Sequence, residues 1–307
     1  MNKHLGFMSA MLIGGAAMAA DGIKLGGFVD AGWMWKKATP DTNTFGIMDG
    51  ALSVGKTMGM GEVMLELPLT ASNAADNTLE IGGKETKAYV SWKYDNGFMW
   101  KMGQFDSLFG MEASRSADRF FSSKSKMYDL APKNHLGLMV GYDFSDSLGL
   151  GLALANPAGK GLMENGNLDI AVKLNTKSDG FHVSLGALFS QDVGQDADMA
   201  FDIIAGTKMD AMTFDVEAWI KKPNVGDTGF GVLGMFTYGM DEMVSLGARV
   251  EWASKLYTEG DLIGLAVGPE FAMNKEFKVR AEYGLQKFDV EGQDPTHMIS
   301  LSAVHRF

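Results

Sequence analysis

From Ile23 to the carboxyl end, apolar and polar residues alternate with a period of two, in segments about ten residues long. Phe214, Val216, Ala218 and Ile220 interleave with Asp215, Glu217 and Trp219. Val244, Leu246, Ala248, Val250 and Trp252 interleave with Ser245, Gly247, Arg249 and Glu251, and Phe277, Val279, Ala281 and Tyr283 interleave with Lys278, Arg280 and Glu282. Successive side chains of a strand point to opposite faces, so each segment predicts a strand with one apolar and one charged face. The pattern predicts strands over 23–36, 45–57, 61–70, 84–94, 98–106, 135–144, 148–156, 167–176, 181–190, 199–208, 213–222, 229–239, 243–254, 262–273, 277–288 and 296–307.

A soluble sandwich also alternates, so the connections decide between the two. Here they alternate between short and long. Short links such as Met58-Gly59-Met60, Asp95-Asn96-Gly97 and Met240-Asp241-Glu242 are followed by long ones centred on residues 40, 76, 120, 161, 195, 225, 258 and 292. Tight periplasmic turns and longer external loops produce this rhythm in membrane barrels, with both termini in the periplasm. The fold class expected is all-β: a transmembrane antiparallel up-and-down β-barrel of about 16 strands with a long third external loop. Closure is forced because unpaired backbone groups in hydrocarbon each cost several kcal/mol. A barrel of this strand number is wide enough to enclose water. Pro40, Pro132, Pro157, Pro223 and Pro295 fall in the expected loops, where no ladder donor is missed. Pro68 fits less well, and Pro269, inside an expected strand, predicts a bulge or a different boundary there. Tyr94, Phe98, Phe144, Phe181, Phe214, Tyr238, Phe271 and Phe277 stand beside short turns on the apolar parity and predict an interfacial girdle.

Residues 1–20 carry Lys3, an apolar stretch from Leu5 to Ile13 and small residues ending in Ala17-Met18-Ala19-Ala20, which predicts a secretory leader cleaved after Ala19 or Ala20. The barrel then occupies 21–307. No later segment has the roughly 20 consecutive apolar residues of a spanning helix. The absence of Cys removes disulfides, thiolate metal sites and cysteine nucleophiles. The 39 Gly exceed the usual share of about 7%, and a mean hydropathy of -0.02 reflects apolar residues dispersed along strands. A formal charge of -11 disfavours nucleic acid as a partner. The terminal Phe307, with Ala303, Leu301 and Ile299 on its parity, is similar to the last-strand signature read by the outer-membrane assembly machinery, although His305 stands where an aromatic is usual. Outer-membrane lipid, lipopolysaccharide and that machinery are the partners expected.

Several motifs carry competing chemistry. Gly50-Ala51-Leu52-Ser53-Val54-Gly55-Lys56-Thr57 matches a phosphate-binding loop. That chemistry needs a following helix, whereas Met58-Gly59-Met60-Gly61 follows here, and Met48, Gly50, Leu52 and Val54 alternate as one strand face. His182 and Ser184 would need a lipid-side position and a third orienting group to hydrolyse lipid, and their parity is that of the charged face. The five histidines have no metal spacing, so neither cofactor nor metal nor catalytic residue is expected.

One connection is unlike the others. Ser107 to Asn134 reads SLFGMEASRSADRFFSSKSKMYDLAPKN, and a connection of this length without regular structure is normally functional. Two placements are open for it. Folded into the lumen, it narrows the passage and sets its charge; as an external lid, it leaves only a barrel. Constriction candidates are Glu112, Arg115, Asp118, Arg119, Lys124 and Lys126. Wall candidates on the charged parity are Lys173, Asp215, Glu217, Arg249, Glu251, Arg280 and Glu282, with Glu62, Glu66, Lys87 and Lys278 sharing that parity.

Around this connection the chain resembles the OmpL-like group of outer-membrane β-barrel porins. The resemblance rests on Met102-Gly103-Gln104-Phe105-Asp106, Phe109-Gly110-Met111-Glu112, Leu130-Ala131-Pro132, His135-Leu136-Gly137, Tyr142-Asp143-Phe144-Ser145-Asp146 and Ala155-Asn156. It implies a leader, a barrel and pore formation, and so an outer-membrane channel for passive diffusion of ions and small hydrophilic solutes. Analogy with general porins adds a homotrimer. The competing expectation is a structural or surface-contact barrel with a plugged lumen.

Overall fold

The computed structural model describes residues 17–20, 22–37, 41–71, 79–83, 85–157, 168–190, 199–223, 226–257, 259–290 and 292–307. Residues 1–16 of the expected leader, and the tips of the expected loops near 40, 76, 161 and 195, lie outside them.

The alternating segments form the strands β1 (Ile23–Lys37), β2 (Thr42–Met58), β3 (Gly61–Ala71), β4 (Lys87–Lys93), β5 (Phe98–Asp106), β6 (Asn134–Ser145), β7 (Leu148–Ala155), β8 (Asp169–Ser178), β9 (Phe181–Phe189), β10 (Met199–Met209), β11 (Met212–Lys222), β12 (Gly229–Gly239), β13 (Val244–Ser254), β14 (Leu262–Ala272), β15 (Phe277–Phe288) and β16 (Thr296–Arg306). Each pairs antiparallel with the next, and β16 pairs back onto β1 from His297↔Lys37 to Arg306↔Phe28. The sheet is therefore a closed barrel of 16 strands, with every strand hydrogen-bonded on both sides, as hydrocarbon requires. Two short segments add to it: Ala17–Ala20 pairs with the start of β1, and Leu79–Ile81 pairs with the end of β3. No helix of the described residues is long and apolar enough to cross a membrane.

Side-chain parity matches the sequence pattern. Phe214 and Ile220 of β11, Leu246, Val250 and Trp252 of β13, and Ile299 and Leu301 of β16 are exposed on the outer surface, while Glu217 and Trp219, Arg249 and Glu251, and Ser300 and Ser302 are buried on the inner one. An apolar exterior around a polar interior inverts a soluble protein and is what a lipid solvent selects. Tyr94, Phe144, Phe181, Phe214 and Tyr238 are exposed at the short-turn end, with Tyr94–Phe98 centroids 5.7 Å apart and Tyr142–Phe144 5.0 Å apart, while Phe98, Phe271 and Phe277 of the expected girdle are half-buried. At Asp95-Asn96-Gly97 the turn requires a positive φ of 88° at Gly97, which glycine adopts without a Cβ penalty.

Three local expectations are corrected. Pro269 causes no bulge: β14 keeps one register with β13 throughout, from Val244↔Phe271 to Ala253↔Leu262, and one register with β15 on either side of the proline, from Val267↔Tyr283 to Glu270↔Arg280. The neighbouring Gly268 lets β15 approach closely beside the proline, because the Ala281 carbonyl sits only 1.9 Å from where its Cβ would be. The irregularity lies instead between β1 and β2, where Asp30↔Asp49 is followed by Ala31↔Ile47, so Met48 is skipped and does not share the regular face of Leu52 and Val54. β4 begins at Lys87 rather than at 84, because the Thr86 amide first closes a turn onto the Gly83 carbonyl at 3.1 Å. Pro68 pairs with Ala51 and lies beyond the stretch of β3 that bonds β4, so no donor is missed on that side.

Candidate functional site

The connection from β5 to β6 lies against the inner wall of the barrel. It contains a 3-10 turn, Ser116–Asp118, and one short helix, α1 (Lys126–Leu130). Three inward-facing glycines make room for its apolar side chains. A Cβ on Gly186 of β9 would meet the Phe109 ring at 3.2 Å, one on Gly231 of β12 would meet Met127 at 2.5 Å, and one on Gly247 of β13 would meet the Phe120 ring at 2.2 Å. Phe109 also packs on Trp219 at 5.8 Å, and Ala117 is buried with Phe28, Ala51 and Val304.

Wall charges fasten the loop on opposite sides of the lumen. On β13, Arg249 donates to Glu112 at 2.8 Å and to the Ser123 carbonyl at 2.9 Å, while Glu251 accepts from the Lys126 and Met127 amides at 2.8 and 3.2 Å. That carboxylate supplies the free amides of the first turn of α1, which Ser125 caps by accepting from the Tyr128 amide at 3.0 Å. On β15, Glu282 accepts from the Ser123 amide at 3.0 Å and from Ser122 Oγ at 2.8 Å. Arg280 donates to the carbonyls of Ser116 and Phe121 at 3.0 and 3.2 Å and pairs with Asp30 of β1. Further round the wall in either direction, Glu66 of β3 takes both arms of Arg115, Asp49 of β2 accepts from the Ser116 amide at 2.6 Å, and Asp202 of β10 accepts from the Gly110 amide at 3.2 Å. Arg280 and Asp30 are only 1% and 0% exposed, so each charge is compensated at short range, as burial demands.

The other candidates fall in three groups. Asp118 pairs with Arg306 at 2.8 Å, and Lys124 reaches Glu85 at 3.4 Å. Arg119 donates to the loop carbonyls of Ala113, Ser114 and Ser122 and lies 3.8 Å from Asp49 of β2, and the Lys126 ammonium lies 3.8 Å from Asp129. On the wall, Lys173 is buried near Asp202 and Glu217, Glu217 accepts from Trp219 Nε1 at 2.7 Å, and Asp215 lies 3.3 Å from His182. Ser184 donates to Asn175 instead, so His182 and Ser184 serve different partners. Asp30, Asp49, Asp202 and Arg306 were absent from the sequence candidates. Asp30 opposes Ala31, Trp33 and Trp35 in parity, and Asp49 opposes Leu52 and Val54, so both were findable by that signal.

At the root of the loop a cavity of about 230 Å³ lies between its two limbs, with Lys87 and Asp106 at its border. Lys87 holds Asp106 at 2.7 Å and Glu66 at 3.1 Å. Lys133 lies over the Tyr128 ring at 3.6 Å, and burial draws its ammonium down to about 8.

The sequence model of the family described as putative beta-barrel porin-2, OmpL-like, matches residues 22–303. No curated protein sequence matches. Among solved structures, OmpF of Salmonella typhi in complex with daunomycin is similar at a TM-score of 0.72 and 12% identity, covering 94% of this chain and 99% of that one. An anion-selective porin from Comamonas acidovorans is similar at a TM-score of 0.66 and 10% identity, covering 93% and 99%. OmpT of Vibrio cholerae, in vitro folded and in a trimer form, is similar at a TM-score of 0.66 and 13% identity, covering 94% and 100%.

Proposed function

Since the chain belongs to the OmpL-like family of β-barrel porins, an outer-membrane channel family, we propose that it is a passive diffusion pore for ions and small hydrophilic solutes, narrowed by residues 107–133. One observation carries this reading. The loop is held inside the barrel by inward charges of β2, β3, β10, β13 and β15, which lie on opposite sides of the lumen. A segment tied down in this way occupies cross-section and fixes charges where the passage is tightest. Glu112, Arg115, Asp118 and Arg119 then shape the constriction, with Arg249, Glu251, Arg280 and Glu282 as the wall that positions it. Purified protein in planar bilayers is expected to give stepwise open-pore conductance, and removal of residues 112–128 is expected to raise it. A silent wild-type barrel, or a deletion without effect, would overturn the reading.

A second reading has one supporting observation: Lys173, Arg249, Glu251, Arg280 and Glu282 are all buried rather than lining open water. That is also the appearance of a plugged, structural or surface-contact barrel. Liposome swelling separates the two, because a plugged barrel admits no sugar. The cleaved leader and a homotrimer complete the proposal; mass spectrometry of the mature amino terminus and light scattering in detergent check them.

A further inference from the structure

The cavity between the limbs of the loop has features that its role as a constriction does not call for. It is enclosed by Ser107–Arg115 on one side and Tyr128–Lys133 on the other, and its volume of about 230 Å³ lies below that of drug-sized pockets, which start near 300 Å³. Four charged groups at its border remain accessible. The side chains of Asp106, Asp118, Arg115 and Lys133 keep 36%, 38%, 25% and 27% of their surface. They comprise two carboxylates and two cations, each steadied by a group other than the remaining three: Asp106 by Lys87, Asp118 by Arg306, Arg115 by Glu66 and Lys133 by Asp129. The buried Phe109 and Ala131, with Met111 and Pro132, supply apolar surface between them.

A site with both signs accessible, and no net excess among those groups, gives little advantage to an ion of single charge. A solute carrying both signs gains at both ends, because each end makes a charge-assisted contact. We propose that this cavity binds small zwitterionic solutes of amino-acid size as they approach the constriction. Lys133 and Arg115 supply the cations for the solute's carboxylate, Asp106 and Asp118 the carboxylates for its ammonium, and Phe109 and Met111 the apolar surface for its aliphatic part. The proposal rests on the pore reading for its physiological sense, but the site itself is a matter of equilibrium binding.

The test measures both separately. Calorimetric titration of the full, detergent-folded barrel with glutamine is expected to show saturable binding, and ribose and propionate are expected to show none. Asp106→Asn and Lys133→Gln are each expected to weaken glutamine binding about tenfold, the loss of one charge-assisted contact; heat-modifiable mobility on gels verifies that each variant is folded. Absence of saturable glutamine binding, equal binding of ribose, or unchanged affinity in both variants would overturn the site. Bilayer conductance of the same preparations reads the pore independently: a conducting barrel that does not bind glutamine loses the site alone, and a silent barrel that binds it keeps the site and loses the pore.

Discussion

At the scale of single residues, the interior is governed by the cost of burying charge. Arg249 is the clearest case, because it answers Glu112 at 2.8 Å and lies 3.9 Å from Glu282, and all three side chains are almost fully buried. Arg249→Ala leaves two carboxylates without that cation, and breaking a buried pair in this way costs about 3–5 kcal/mol. The expected outcome is a loop that detaches while the barrel persists, seen as new proteolytic cleavage between residues 112 and 128 and a larger single-channel conductance. Lys133 supplies the pH dependence. Its environment includes Tyr128, Asp129, Lys124 and Glu85, and burial brings its pKa from 10.5 to about 8. A base is charged below its pKa, so raising the pH through 8 removes one positive charge beside the loop. The reversal potential in a salt gradient is expected to move toward cation preference between pH 7 and 9, and Lys133→Met is expected to abolish that movement.

At the scale of elements, the surplus of glycine acquires a specific meaning. Gly186, Gly231 and Gly247 belong to three different strands, and each leaves the space that a loop side chain fills. Glycine weakens a strand through its entropy, so its placement on an inner face under packed loop side chains offsets that cost with the room it gives the loop. Gly247→Leu is expected to expel Phe120, because even a Cβ would sit 2.2 Å from its ring. Barrel assembly should continue, since the β13 backbone ladder is untouched, while trypsin accessibility at Arg119 and Lys124 should rise. Loss of assembly instead would mean that the strand, not the loop, needs this glycine.

At the scale of the whole molecule, stability depends on the seam. Phe307 closes it through reciprocal backbone hydrogen bonds with Gly27 at 3.0 and 3.1 Å, beyond the last ladder pair Arg306↔Phe28. Its ring also lies 2.9 Å from the Cβ position of Gly27, so a larger residue at 27 would strain the same corner. Deleting Phe307 removes a pair of bonds at an edge that hydrocarbon cannot solvate. The expected result is a smaller fraction of heat-modifiable, folded barrel in isolated membranes, with the folded fraction retaining its conductance.

The number of strands, their order and which face of each meets lipid were legible in the sequence, because period-two alternation and turn residues are local signals that a membrane solvent imposes on every strand alike. Glu217, Arg249, Glu251, Arg280 and Glu282 could be assigned to the inner face for that reason. Which loop charge each inner residue meets was not legible. Arg249 and Glu112, or Glu66 and Arg115, are brought together only by closure of the sheet and by the path of one irregular segment inside it, and neither leaves a periodic trace. The cavity between the loop's limbs and the bulge at Met48 belong to the same class. Local patterning determined the barrel; long-range packing alone decided how its interior is charged and filled.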